Sequence, residues 1–242
     1  MTKGHGRGGR KGGARGKSSR GGTQFTGRQT SERVRSAKGR SIASTRWLQR
    51  QLNDPYVAEA KRRGYRSRAA FKLIEMDDKL GLLKPGAVVV DLGVAPGGWS
   101  QVAAERVGSS GRVFGLDLDL PDPLEGVELL EGDFREPEVQ ARLKGALGGP
   151  VDLVLSDMAA SATGHAATDH LRITALAESA LDFAEEVLRP GGGFIAKVLQ
   201  GGSERELLER LKHGFAKVRH IKPPASRKDS AELYVVATGY RG

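Results

Sequence analysis

Short apolar runs recur along the second two-thirds of this chain, and each is typical of a strand that is covered on both faces. The runs cover residues 88–90, 113–116, 127–130, 151–155, 194–199 and 233–237. Helical periodicity fills stretches between them, as in residues 100–107. A longer helical segment ends at Pro190-Gly191 and carries Leu171, Ala175, Leu176, Leu181, Phe183 and Leu188. Strands that alternate with helices predict an α/β fold with a mostly parallel, doubly wound sheet.

Local signals predict where three further helices begin. Asp54 before Pro55 is typical of an N-cap followed by proline at the first helical position, and this helix should run to Arg63 and stop at Gly64. Ser67 is predicted to cap a second helix. Its inward stripe is Ala70, Leu73 and Ile74, which leaves Lys72 free to face a cleft or solvent. A capping box, Ser203 with Glu206, predicts a third helix that carries Leu207, Leu208 and Leu211.

The positive charge of the chain is concentrated at its N-terminus. The net charge is +10, and residues 1–40 hold 12 Lys or Arg with a single acid, Glu32. We predict that residues 1–43 form a disordered basic tail and that residues 44–242 form the folded domain. Its Arg-Gly-Gly steps are typical either of flexible RNA-binding segments or of a solubilising arm. An organelle-targeting peptide is a further alternative, although nine glycines in the first 22 residues disfavour an amphipathic helix.

Composition narrows the chemistry. The chain has no cysteine, which excludes disulfides and thiolate metal sites and suits a reducing cytoplasm. No apolar run is long enough to cross a membrane. The five histidines show no metal-ligand spacing, so we expect no metal. We therefore expect a cytoplasmic protein without a membrane partner, and a monomer.

A glycine-rich turn, Asp91 to Trp99, follows the first predicted strand and precedes a helix. Glycines allow a ligand close to the backbone, and ligands of doubly wound sheets bind at this edge. The turn would suit NAD or S-adenosylmethionine, but Pro96 and the missing three-glycine spacing disfavour NAD. Asp117, after the second strand, could hold ribose hydroxyls. Asp133, after the third strand, could accept from an adenine amino group or could simply be a turn residue.

Four charged residues that lie far apart in sequence should be delivered to the same edge of the sheet. They are Lys72, Asp157, Lys197 and Glu232. Such a set could remove a proton from a weak acid such as a ribose hydroxyl. A lysine must be neutral to act as the base, and the apolar strand around Lys197, with Lys72 as a neighbouring cation, favours that form. Asp157 and Glu232 would then orient the lysines. A purely structural pair between Lys197 and Glu232 is the alternative.

Six stretches, in this order and spacing, resemble the FtsJ/RrmJ (RlmE) family of ribosomal RNA 2′-O-ribose methyltransferases. They are residues 66–73, 91–101, 132–135, 156–159, 197–201 and 232–234, and the resemblance covers about residues 44–240. It implies a Rossmann-like methyltransferase fold with seven strands, the last of them antiparallel. One departure is visible, because Ala160-Ser161 stands where the family usually has Pro-Asn.

The resemblance also implies roles for individual residues. Lys72, Asp157, Lys197 and Glu232 would form the catalytic tetrad, with Lys197 as proton acceptor. S-adenosylmethionine would contact Gly97, Trp99, Asp117, Asp133 and Asp157. The substrate would be a uridine of large-subunit ribosomal RNA, within the assembled subunit. We expect Arg66, Arg68, Arg227 and Lys228 to lie near that RNA, with residues 61–63 extending the surface.

Three rival functions stay open at this point. A 2′-O-methyltransferase that acts on transfer RNA or on messenger RNA caps would share the tetrad. A non-catalytic RNA-binding ribosome assembly factor could keep the fold, but all four tetrad positions hold the required residue types. An NAD-dependent oxidoreductase is disfavoured by the glycine spacing.

Overall fold

Seven strands form one sheet in the computed structural model, which describes residues 1–2, 45, 48–49, 51–201 and 204–242. The strands are β1 Val88–Leu92, β2 Arg112–Asp117, β3 Val127–Glu131, β4 Val151–Ser156, β5 Leu188–Leu199, β6 Phe215–Ile221 and β7 Glu232–Tyr240. Their spatial order is β3-β2-β1-β4-β5-β7-β6. The order reverses between β1 and β4, which is where ligands of such sheets bind.

The sheet is mostly parallel, as predicted. The pairs β1–β2, β1–β4, β2–β3 and β4–β5 are parallel, whereas β7 is antiparallel to both β5 and β6. Because β7 runs backwards, its first residue, Glu232, pairs with Leu199 at the end of β5. The antiparallel strand β7 therefore places Glu232 at the edge of the sheet where the parallel strands end.

Helices cover both faces of this sheet. The helices of residues 51–242 are α1 Pro55–Arg63, α2 Ala70–Leu80, α3 Gly98–Val107, α4 Pro137–Leu147, α5 Ala166–Val187 and α6 Arg205–Gly214. Helices α1 to α3 pack on one face, in a core with Val89 and Val236, and helices α4 to α6 pack on the other, with Val90 and Ala237. Neighbouring strand residues thus serve opposite cores, which explains the continuous apolar runs.

The first helix has the predicted bounds. The side chain of Asp54 accepts a hydrogen bond from the backbone N–H of Tyr56, and Pro55 is the first helical residue. Gly64 ends the helix in the left-handed conformation, with φ of 77°. Both caps depend only on adjacent residues, so the sequence pattern was sufficient to locate them.

Other element predictions need correction. Helix α2 begins at Ala70, and the N-cap position is Ala69, so no side chain caps the helix. Ser67 instead forms a turn in which its backbone oxygen accepts from the N–H of Ala70. The buried Oγ of Ser67 has no hydrogen-bond partner among the described residues. Leu171 is 62% exposed, so it does not belong to the inner stripe of α5. That helix ends at Val187, because Leu188 already pairs with Val151 in the sheet.

The pattern of apolar residues missed strand β6. Only Phe215 of this strand is buried, and most of its other residues are exposed because β6 lies at the sheet edge. Two predictions fall outside the described residues, namely the capping role of Ser203 and the structure of the tail over residues 3–43. The boundary between residues 43 and 44 thus stays a prediction. In the described part of the chain, no helix has the length and apolar character of a membrane span.

Candidate active site

The glycine-rich turn lies against the ends of two neighbouring strands. The backbone N–H groups of Gly93 and Val94 both donate to the carbonyl of Leu116, at 2.9 and 3.1 Å. Gly93 has φ of 83°, and a Cβ there would come within 3.0 Å of Met158. The turn consequently needs glycine at this position for both its conformation and its close packing. Residues of β1, β2 and the loop after β4 are thereby held at one edge of the sheet.

An open cleft of about 610 Å³ runs along this edge. Its lining includes Gly93, Ala95, Asp117, Asp133, Phe134, Asp157, Met158, Arg172 and Leu176. The volume lies in the range of cofactor sites, and the lining combines apolar surface with a few carboxylates. Three of the five predicted cofactor residues, Asp117, Asp133 and Asp157, therefore face a common space.

The other two predicted cofactor residues do not line the cleft. Gly97 has φ of 109° and packs under the side chain of Leu124, which a Cβ would approach within 2.7 Å. The Trp99 ring is buried, and its Nε1 donates to the Ala69 carbonyl at 2.9 Å. Their observed contacts hold the turn against α2 and the loop after β2. Contact of either residue with a cofactor stays a prediction.

The two cleft carboxylates after β2 and β3 are held by local hydrogen bonds. Asp117 accepts from the backbone N–H groups of Ala95 and Leu118, each at 2.8 Å. Asp133 accepts from the backbone N–H and the guanidinium of Arg135. The side-chain hydrogen bond from Arg135 is the main reason that the pKa of Asp133 is lowered. Both carboxylates are thus oriented acceptors at the cleft wall, which suits hydroxyl and amino groups of a nucleoside.

The four predicted catalytic residues meet at the neighbouring corner of the sheet. Lys197 Nζ donates to the Asp157 carbonyl at 2.7 Å and to Asp157 Oδ1 at 3.0 Å, and it lies 4.0 Å from Glu232 Oε1. Lys72 Nζ lies 3.4 Å from Glu232 Oε2. Both lysines are more than 90% buried. The tetrad is therefore one network of two cations and two carboxylates, and Asp157 also belongs to the cleft.

Tyr234 completes this network, and the sequence reasoning assigned it no role. Its hydroxyl donates to Asp157 Oδ1 at 2.8 Å and accepts from Lys72 Nζ at 2.9 Å. Its ring is fully buried and packs on Trp99, with centroids 5.4 Å apart. Strand alternation was the available signal, because Tyr234 and Glu232 share one face of β7.

Burial and charge act in opposite directions on the acids of this corner. Burial favours a raised pKa for Asp157, but the charges of Lys197 and Lys72 outweigh it and the pKa is lowered. Burial raises the pKa of Tyr234 well above its ordinary value, helped by the nearby Asp157 and Glu232. Asp157 should thus stay ionised and Tyr234 should stay protonated, so neither is suited to accept a proton.

Asp91, at the base of the turn, behaves differently. It is fully buried, one oxygen accepts from Ser100 Oγ at 2.7 Å, and the other has no partner among the described residues. Burial raises its pKa to about 7, and the charges of Asp157 and Asp117 add to the effect. This carboxyl is therefore partly protonated near neutral pH, in contrast to Asp133 and Asp157, whose pKa values are lowered.

Most of the predicted RNA-facing cations have partners among the described residues. Arg66 donates to the carbonyls of Asp122 and Pro123, at 2.6 and 2.8 Å. Arg68 is mostly buried and pairs with Asp54. Arg227 lies 3.8 Å from the same carboxylate, whereas Lys228 is exposed. Arg62 and Arg63 pair with Glu59. RNA contact by these residues stays a prediction.

The described residues contain no group of His, Cys, Asp and Glu side chains that could hold a metal ion. The site that they do contain consists of a cleft with three carboxylates and an adjoining corner with two lysines. This arrangement can orient a nucleoside-containing cofactor beside a group that gives up a proton.

Comparisons with known proteins bear on this site. A family model described as FtsJ-like methyltransferase matches residues 65–240. The chain is 59% identical over 219 residues to the ribosomal RNA large subunit methyltransferase E of Gluconobacter oxydans, which covers 90% of this chain and 81% of the relative. It is 61% identical over 220 residues to the protein of that name from Paramagnetospirillum magneticum, with 89% and 90% covered.

A solved structure with a similar fold agrees with these relatives. It is a crystal structure described as a ribosomal RNA methyltransferase from Plasmodium falciparum. It is 33% identical to this chain and superimposes with a TM-score of 0.66, which covers 74% of this chain and all of the other. The region matched by the family model includes the cleft and the tetrad, since these lie between residues 65 and 240.

Proposed function

This chain belongs to the FtsJ-like methyltransferase family, and we propose that it methylates a ribose 2′-hydroxyl of large-subunit ribosomal RNA with S-adenosylmethionine as donor. The target in this proposal is a uridine. One observation carries the proposal: Lys72, Asp157, Lys197 and Glu232 form a buried network that opens onto the cleft through Asp157. The names of the two curated relatives reported above support the choice of ribosomal RNA.

The cleft suits the proposed donor. Asp117 offers its carboxylate to a pair of ribose hydroxyls, and Asp133 offers one to an exocyclic amino group, because both are oriented acceptors at the cleft wall. Apolar lining from Phe134 and Leu176 suits the faces of a base. When bound, S-adenosylmethionine supplies an electrophilic methyl group on a positively charged sulfur. The ionised Asp157 would favour that positive charge, since it lines the same cleft.

Lys197 is the proton acceptor in this proposal. Its neutral amine has two N–H groups, and the two oxygens of Asp157 at 2.7 and 3.0 Å can accept both. The nitrogen lone pair is then the unused position and can take the proton of the 2′-hydroxyl. Tyr234 is a poor rival as base because it holds its own proton.

Lys72 and Glu232 have supporting roles. Lys72 donates a hydrogen bond to the hydroxyl of Tyr234 and lies beside Glu232, so it holds these two side chains in position. Glu232 lies 4.0 Å from Lys197 and 3.4 Å from Lys72 and is the most exposed tetrad member, with 29% of its side chain accessible. It is therefore suited to orient an incoming ribose hydroxyl. Alignment of the reacting groups should account for much of the remaining acceleration.

Transfer of a labelled methyl group tests this function. Purified chain is incubated with tritiated S-adenosylmethionine and either isolated large ribosomal subunits or bulk transfer RNA, with the Lys197→Ala variant as control. We expect label in the subunits alone, at a nucleotide whose 3′ phosphodiester bond resists alkaline hydrolysis because its 2′-oxygen is methylated. Label in transfer RNA would move the proposal to another RNA, and no label in any RNA would contradict it.

A further inference from the structure

A second concentration of positive charge lies away from the tetrad, and its cations have no acidic partner among the described residues. A groove of about 210 Å³ lies between the end of α2 and strands β6 and β7. We call it the basic groove, and it is lined by Lys79, Leu80, Lys217, Arg219, Val236 and Thr238. Half of these residues are cations and none is an acid, so the groove can attract an anion.

Most cations elsewhere in residues 51–242 are paired with a carboxylate. Examples are Arg62, Arg106, Arg112, Lys144, Arg189 and Arg210. Lys79, Lys217 and Arg219 make no ion pair or side-chain hydrogen bond with any described residue, and all three are exposed. An unpaired cation retains its full capacity to bind phosphate, whereas a paired one must first give up its partner.

The position of the basic groove relates it to the tetrad. Val236 and Thr238 lie four and six residues beyond Glu232 on β7, which corresponds to roughly 13–20 Å along the strand. Lys79 lies seven residues beyond Lys72 on α2, or roughly 10 Å along the helix. Strand β7 and helix α2 thus both run from the tetrad to the groove. They do so on one face of the sheet, where Tyr234 and Val236 belong to the same hydrophobic core.

We propose that the basic groove binds backbone phosphates of the substrate RNA a few nucleotides away from the ribose that is methylated. The inference rests on the proposed function, because it assumes that an RNA strand enters the tetrad. A separation of roughly 10–20 Å between the tetrad and the groove can be spanned by a few nucleotides of one RNA strand. Phosphate contacts of this kind position a nucleic acid without reading its sequence.

A competing explanation is protection of the sheet edge. Strand β6 is an edge strand, and lysine or arginine on such a strand prevents pairing with another chain. That explanation accounts for Lys217 and Arg219 but not for Lys79, which lies on a helix. The two explanations also differ in what they predict for RNA binding.

The test compares two variants of the full chain that lose the same charge. The first is Lys217→Gln/Arg219→Gln, in the basic groove. The second is Arg142→Gln/Lys212→Gln, whose two residues are exposed, have no ion pair among the described residues, and lie on helices of the opposite face. The affinity of each variant for an unmodified transcript of large-subunit ribosomal RNA is measured over a range of salt concentrations. Methyl transfer to large subunits is measured at saturating RNA.

We expect the groove variant to lose on the order of tenfold in RNA affinity at low salt. The slope of log affinity against log salt should fall by about 1.4–1.8, because two phosphate contacts are lost. The control variant should stay within about twofold of the unaltered chain, and transfer at saturating RNA should be unchanged in both. Lys79→Gln, which leaves the sheet intact, should lower the slope by about half as much.

Equal salt slopes in the groove and control variants would overturn the inference, and self-association of the groove variant alone would then support edge protection. The result is separable from the proposed function. If the unaltered chain binds RNA but transfers no methyl group, the function fails while the slopes still decide whether the groove binds phosphate.

Discussion

Two neighbouring regions at the same edge of the sheet solve different physical problems. In the cofactor cleft, Asp117 and Asp133 lie at an open wall and are held by groups one or two positions away or on an adjacent turn. In the tetrad corner, Lys72 and Lys197 are buried, and their partners come from other strands. Asp157 is the one carboxylate that belongs to both regions.

The difference concerns how charges are compensated. A carboxylate at an open wall is solvated, so its removal should affect only the ligand that it binds. A buried charge depends on its partners, because an unpaired charge in the interior is costly. We therefore expect substitutions in the tetrad corner to have large and mutually dependent effects, and substitutions in the cleft to have smaller and separable ones.

The largest expected effect is that of Lys197→Ala. Loss of the proposed base should reduce single-turnover methyl transfer by about 10³-fold. Affinity for S-adenosylmethionine, measured by calorimetry, should change less than about twofold, because the Lys197 amine does not line the cleft. Lys144→Ala, on the surface, is the control. Parallel losses of cofactor affinity and transfer in Lys197→Ala would show that the two regions act as one.

Asp157→Asn should damage both regions. The charge of Asp157 compensates Lys197 and also faces the cleft, so transfer should fall about 10²-fold and cofactor affinity about tenfold. The same two measurements apply, with the exposed Asp182→Asn as control. If only one of the two quantities changes, Asp157 does not couple the regions.

Asp91→Asn tests the carboxyl beneath the turn through pH. Because its folded pKa is raised to about 7, the folded chain retains a proton that the unfolded chain has released. The free energy of unfolding should accordingly decline as pH rises from about 4 to about 7. The Asp91→Asn variant has no buried carboxyl to ionise. Its free energy of unfolding, relative to that of the unaltered chain, should therefore rise by about 3 kcal/mol between pH 5 and pH 8. Urea unfolding without cofactor measures this, and a constant difference across pH would refute it.

Tyr234→Phe should have a moderate effect that is confined to the tetrad corner. The substitution removes one hydroxyl that joins Lys72 to Asp157, while the ring can keep its packing on Trp99. Transfer should fall about tenfold, the equivalent of one net hydrogen bond. Cofactor affinity should be unchanged. An unaltered transfer rate together with lowered thermal stability would limit Tyr234 to a structural role.

Asp133→Asn should have the smallest effect. It leaves one acceptor oxygen at the cleft wall but removes the charge that Arg135 binds. We expect cofactor affinity to fall about threefold to tenfold, with no change of transfer at saturating cofactor. A fall in the saturated rate would mean that the open wall also takes part in catalysis.

Several parts of this protein could be read from local sequence alone. The bounds of α1 followed from Asp54, Pro55 and Gly64, because capping involves only neighbouring residues. Six of the seven strands and the glycine-rich turn followed from apolar runs and spacing. The four tetrad residues were predicted from their placement at the ends of predicted elements and from the resemblance to a family, and their catalytic role stays a prediction.

Only the tertiary structure decided how these residues are paired. Strand β5 pairs with the antiparallel β7 in a register that places Lys197 opposite Tyr234 and near Glu232, the first residue of β7. No local pattern encodes that register. Long-range packing also turned Arg68 inward to Asp54 and left Lys79, Lys217 and Arg219 without partners among the described residues. Periodicity and caps depend on residues a few positions apart, so they determine elements. Charge compensation in the tetrad joins residues that are 40 to 160 positions apart, as for Lys197 with Asp157 and Lys72 with Glu232, so it required the folded chain.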